Sequence, residues 1–187
     1  MIINKLNLLL AERFIKASKF SRDTGIAQST ISKIVNNSTS QIDYSTLDKI
    51  CRYLNITPSD FFEYDPINVL FQSFSKDTEN EDDINKNFSF FIRYGNGTEI
   101  FRTIKYEVYV DIYAEELYVI VSPVMSSSED TAFTKYIKNL SLGIQKALSD
   151  EIELFTKNRL IDALNLDKSY QFDINIELIY KSPLSKL

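Results

Sequence analysis

The spacing of apolar residues changes once along this chain, at Asp65-Pro66, and that change limits its fold more than any other feature. Before it, apolar side chains recur at the three- and four-residue steps of one helix face, as in Leu6, Leu9, Leu10 and Phe14. Leu47, Ile50, Cys51 and Leu54 form a full i, i+3, i+4, i+7 set, with Asp43 upstream as an N-cap. Thr57-Pro58-Ser59-Asp60 then sets a capping hydroxyl before a proline at the first helical position and an acid in the first turn. This starts another short helix carrying Phe61 and Phe62. After the change, apolar residues recur at spacing two: Phe88/Phe90/Ile92, Tyr106/Val108/Val110/Ile112 and Leu117/Val119/Val121. Strands are therefore expected over 87–94, 104–113 and 116–122, the last two joined through Ala114-Glu115 as an antiparallel hairpin.

The remainder of the second half alternates in kind. Residues 76–87 and Met125–Ser128 read as polar loops, and Gly95-Asn96-Gly97 as a turn. Ser128 caps a helical stretch from Glu129 to about Leu164, lined by Tyr136, Leu140, Ile144, Leu148 and Ile152 and bent or divided by Gly143 or Ser149-Asp150. Residues 171–180 alternate Phe172, Ile174, Ile176 and Leu178 as a last strand. The expected architecture is a multidomain chain. An all-helical domain spans 1–66, and 67–187 forms an α+β domain with an antiparallel sheet and a long helix.

Composition narrows the function classes. No window approaches the run of about 18–20 apolar residues that a membrane span needs. The opening Met1-Ile2-Ile3-Asn4-Lys5 is too short for a secretory signal. A single cysteine, Cys51, forms no internal disulfide and reads as a small residue of a helical core, so a cytoplasmic location is expected. With no histidine, histidine triads and histidine zinc sites are excluded. Glu79/Glu81/Asp82/Asp83 and Glu115/Glu116 read as solvated charges rather than a metal site, and the aromatic strands as sheet core rather than a pocket wall. No Ala-Gly pair exists for self-cleavage. No catalytic residue, metal or cofactor is expected. Net charge is −5, but residues 1–40 hold six Lys/Arg against two Asp/Glu, a net of +4 that leaves −9 for the rest. A basic segment can meet phosphates locally because screening limits electrostatic reach to about 8–10 Å.

The basic segment contains the stretch from Lys16 to Asn37, in which two short helices can pack over a tight turn. Phe20, Ile31 and Ile34 supply the contact between them, and Ser21 is small where they approach. Gly25 can end the first helix in the left-handed region, and Ile26 inserts beneath the turn. Gln28, Ser29, Ser32 and Lys33 then fall on one polar face. These residues resemble the phage-repressor-like (Xre/Cro) helix-turn-helix family, and the resemblance runs over roughly Ile3–Pro66 through the later block Asp43–Phe62. It implies a five-helix, lambda-repressor-like DNA-binding domain. Two positions depart from the family: Ala17 and Ser18 stand where it has a glutamine, and Asn37 stands where it has a glycine after the recognition helix.

The resemblance implies base contacts from Gln28, Ser29, Ser32 and Lys33. It implies phosphate contacts from Lys16, Ser18, Lys19, Thr30, Asn36, Asn37, Ser38 and Thr39. The partner is then double-stranded DNA, and the chain a sequence-specific transcriptional regulator, expected to be a repressor. One such domain reads only about 4–5 base pairs, so a homodimer through 67–187 on a palindromic operator is expected. A small-molecule or protein effector is the runner-up role for that half. The alternative reading of the whole is a protein-interaction module, antitoxin-like or anti-repressor, that docks through its helical domain. An enzyme with carboxylates in the second half ranks last.

Overall fold

Each side of the Asp65-Pro66 junction builds its own core, giving two units, Met1–Asp65 and Pro66–Leu187. The computed structural model describes residues 1–76, 86–97, 99–113, 115–124, 130–167 and 169–179. Most of the acidic segment 76–87, the segment 125–129 with its expected cap Ser128, Ala114 and Tyr180 lie outside the described residues.

The first unit runs β1 (Ile2–Asn4), α1 (Leu6–Glu12), α2 (Ala17–Thr24), α3 (Gln28–Val35), α4 (Tyr44–Leu54), α5 (Pro58–Phe61) and β2 (Phe62–Tyr64). Leu6, Leu9, Leu10, Phe20, Ile26, Ile31, Ile34, Ile50, Leu54 and Phe61 make its core. Cys51 is only half-buried beside them. The Asp43 carboxylate accepts from the Thr46 N–H at 2.8 Å, capping α4 as its position predicts. Thr57 and Asp60 form a reciprocal capping box at α5, with Pro58 in the first turn. The spacing analysis does not anticipate the ribbon between β1 and β2, which pairs Ile3 with Glu63 in antiparallel register. Three residues are too few to show an alternation.

The second unit runs β3 (Ile67–Lys76), β4 (Lys86–Asn96), β5 (Glu99–Tyr113), β6 (Glu116–Val124), α6 (Asp130–Asn139), α7 (Leu142–Leu164) and β7 (Gln171–Ile176). Its sheet order is β3-β4-β5-β6-β7. The first four strands are antiparallel neighbours, but β7 pairs with β6 in parallel, Leu117 opposite Phe172. The expected antiparallel sheet is thus mostly antiparallel, with β7 the parallel exception. A parallel neighbour needs a long crossover connection, and α6 and α7 lie between β6 and β7 in sequence. The expected helical stretch is two helices, divided at Leu140-Ser141 rather than at Gly143 or Ser149-Asp150. The Ser141 hydroxyl caps α7 by accepting from the Ile144 N–H at 3.2 Å.

One face of the sheet packs on these helices. Phe88, Phe90, Ile92, Tyr94, Tyr106, Val108, Val110, Leu117, Val119 and Val121 are buried there with Ile144, Leu148, Ile152 and Leu160 of α7. Tyr94 and Tyr106 join hydroxyls at 2.7 Å inside this core. Edge strand β3 shifts register between Gln72 and Ser75, with Ser73 at φ 54°. This irregularity lets Phe71 and Phe74, three residues apart, both reach the Phe155 ring, with centroids at 4.3 and 6.1 Å. No described helix is long and apolar enough to cross a membrane.

Candidate nucleic-acid interface

Gly25 ends α2 at φ 66° and ψ 17°, the left-handed geometry its position predicts. Nothing lies within 4 Å of where its Cβ would stand, so backbone conformation rather than crowding favours glycine there. The turn is closed by side chains on either side. The Ser21 hydroxyl donates to the Ile26 carbonyl at 2.6 Å, and the Thr24 hydroxyl donates back to the Phe20 carbonyl at 2.7 Å. Ile26 is buried under the turn, and Phe20, Ile31 and Ile34 are fully buried or nearly so. Phe20 also meets Tyr53 of α4 edge-on, with ring centroids 5.0 Å apart.

Burying Ile31 and Ile34 fixes which side of α3 faces outward. Gln28, Ser29, Ser32 and Lys33 are all exposed, on two successive turns, and Thr30 is half-buried. Lys16, Ser18 and Lys19, at the start of α2, are exposed as well. The N-caps of these two helices, Lys16 and Ala27, make no side-chain capping bond, in contrast to Asp43 and Thr57 at α4 and α5. First-turn N–H groups of α2 and α3 thus remain open to an external acceptor, and a helix N-terminus with open N–H groups favours anions. Asp23 offsets part of the local positive charge. It lies 3.9 Å from Lys19 and 3.7 Å from Arg22, and accepts from the Tyr53 hydroxyl at 2.8 Å. That hydrogen bond raises the Tyr53 phenol above its ordinary value.

The loop after α3 divides the expected phosphate contacts. Asn36 is exposed; Ser38 is exposed and its hydroxyl donates to the Lys33 carbonyl at 3.2 Å. The half-buried Thr39 donates to the Gln41 carbonyl at 2.7 Å. Asn37 is exposed and takes a left-handed φ of 50°, as a glycine substitute would, and its amide bonds back to Asn4. Its Oδ1 accepts from the Asn4 N–H at 2.8 Å and from Asn4 Nδ2 at 2.6 Å, while its Nδ2 donates to the Asn4 carbonyl at 3.1 Å. Asn4 Nδ2 also donates to the Ile34 carbonyl at 2.8 Å. Asn4 is buried and ties β1 to the end of α3. Sequence reasoning missed Asn4, since an asparagine beside two isoleucines gives no periodic signal.

Residues 5–66 match the model of the Cro/C1-type HTH DNA-binding domain. The chain belongs to this family. Its Cro/C1-type domain covers the whole helical block from α1 to α5. Over 63 residues the chain is 33% identical to the uncharacterized HTH-type transcriptional regulator YozG of Bacillus subtilis (strain 168), covering 34% of this chain and 75% of that protein. No solved structure matches the chain at a significant level. The Cro/C1-type match ends at residue 66, where the sheet unit begins.

Proposed function

We propose that the protein is a sequence-specific, double-stranded DNA-binding transcriptional regulator that works in the cytoplasm as a repressor. In this reading α3 is the recognition helix, with Gln28, Ser29, Ser32 and Lys33 at base edges in the major groove. Lys16, Ser18, Lys19, Thr30, Asn36, Ser38 and Thr39 hold the flanking phosphates, and Asn37 holds the loop that presents them. The observation that carries it is the combination at α3: an apolar side locked into the core, an outward side wholly polar, and an N-terminus left without a cap. Backbone contacts position such a domain and base contacts specify its sequence. The DNA-binding domain spans 1–66 as a five-helix, lambda-repressor-like fold, and 67–187 joins two copies so that both halves of a palindromic operator are read. Catalysis has no part in this account.

A mobility-shift assay with duplexes flanking the protein's own gene tests it. The expected result is a retarded band that unlabelled flanking DNA competes away and unrelated duplex does not. Equal competition by both DNAs contradicts sequence-specific recognition.

A further inference from the structure

The helices cover one face of the sheet, and the other face carries a pattern that the fold does not use. On it lie Leu70, Phe91, Tyr109, Ile120, Tyr118 and Val124, each between 38% and 50% exposed. Register puts Tyr109 opposite Ile120 and sets Lys105 between Phe91 and Val124, with the polar row Ser89, Glu107 and Ser122 between the two, so apolar and polar rows alternate along this face.

Charge on this face is polarised along the strands. At one end stand Arg93 and, one row further in, Lys105. At the other end stand Asp111 opposite Tyr118, Tyr118 opposite Asp173, and Glu116 opposite Gln171. Glu107 lies between the ends, 3.8 Å from Lys105 and accepting from the Tyr109 hydroxyl at 2.6 Å. The carboxylates of Glu116 and Asp173 both act on the Tyr118 phenol, which donates to Glu116 at 2.7 Å. From Lys105 to Asp111 the strand rises roughly 20 Å.

We propose that this sheet face is the interface between two copies of the chain, stacked face to face about a two-fold axis lying in the plane between them. An axis running across the strands turns the basic end of one copy onto the acidic end of the other, Lys105 toward Asp111. The surface is thus complementary to itself, as an isologous contact requires. With strands about 4.8 Å apart and about 3.3 Å of rise per residue, the five-strand face covers roughly 800 Å². That is about the area each partner of a standard stable interface buries. Two such sheets pack about 10 Å apart, with strands within about 30° of one another. This inference rests on the reading that residues 67–187 make the dimer, and it names the surface.

The test uses two full-length variants, Lys105→Glu and Asp111→Lys, both on the exposed side of β5 and away from the helix-packed core. In a stacked pair each variant sets like charges against each other twice, whereas one copy of each restores both opposite-charge contacts. Sedimentation equilibrium of the wild-type chain should show a dimer. Each variant alone should self-associate at least about 10-fold more weakly, and an equimolar mixture should return to within about threefold of wild type. A wild-type dimer with variants and mixture all unchanged overturns the sheet-face interface while leaving the dimer reading in place. A monomeric wild-type chain overturns both.

Discussion

Gln28 in the first turn of α3 and Lys33 in the second have no structural task in the protein that holds them. Gln28→Ala and Lys33→Ala are therefore expected to leave the thermal melt unchanged and to weaken specific DNA binding, each by about 1–3 kcal/mol if it removes a good base contact. A titration showing wild-type affinity and base preference in both variants removes these side chains from the interface. Asn37 is expected to behave in the opposite way. Its replacement by alanine leaves the Asn4 backbone N–H without its partner and removes one of two acceptors of the Asn4 amide, and an unsatisfied buried polar group costs about 1–3 kcal/mol. Asn37→Ala should lower the melting temperature of the helical unit, and Asn4→Ala should do the same. An unchanged melt with weaker binding would instead make Asn37 a direct DNA contact.

At the scale of elements, the α2–α3 turn depends on one backbone conformation. Gly25→Val places a β-branched residue at φ 66°, which is expected to cost the helical unit about 1–3 kcal/mol, read as a shift in its thermal or denaturant midpoint. In the sheet, burial raises the Tyr94 and Tyr106 phenols well above their ordinary value near 10. Stability from keeping them neutral is fully present below about pH 10 and is lost as pH rises beyond it through the raised values. Difference titration of phenol absorbance between wild type and Tyr94→Phe should show this tyrosine ionising only as the sheet unfolds; ionisation near pH 10 in an intact sheet contradicts its burial.

Elements differed in how well the sequence announced them, for physical reasons. α4 and α5 carry their own punctuation in Asp43 and in Thr57-Pro58, and β5 and β6 keep strict alternation because one face is buried throughout. β3 is an edge strand whose irregularity at Ser73 moves its phenylalanines from spacing two to spacing three, which hides it from a period-two search. The break at Ser141 was masked because Leu140 and Ile144 continue the four-residue spacing across it. At the interface, α3's outward face was readable from its buried side. The commitment of Asn37 to Asn4, 33 residues away, was not, since local spacing carries no information about such a pairing.

For the molecule as a whole, the two units divide the work. The helical unit of the Cro/C1 type, with its positive charge gathered in residues 1–40, is the DNA-binding part; in the proposal above, the acidic second unit joins two copies. Joining two readers makes the second contact effectively intramolecular, which raises affinity for a paired site about 100-fold or more. Selection of binding sites from a random duplex library by the full-length chain tests the central claim most directly. The account predicts recovery of one inverted repeat with half-sites about 34 Å apart, and loss of that enrichment when Gln28→Ala and Lys33→Ala are combined. Recovery of no sequence, or of the same sequence by the combined variant, contradicts recognition through α3.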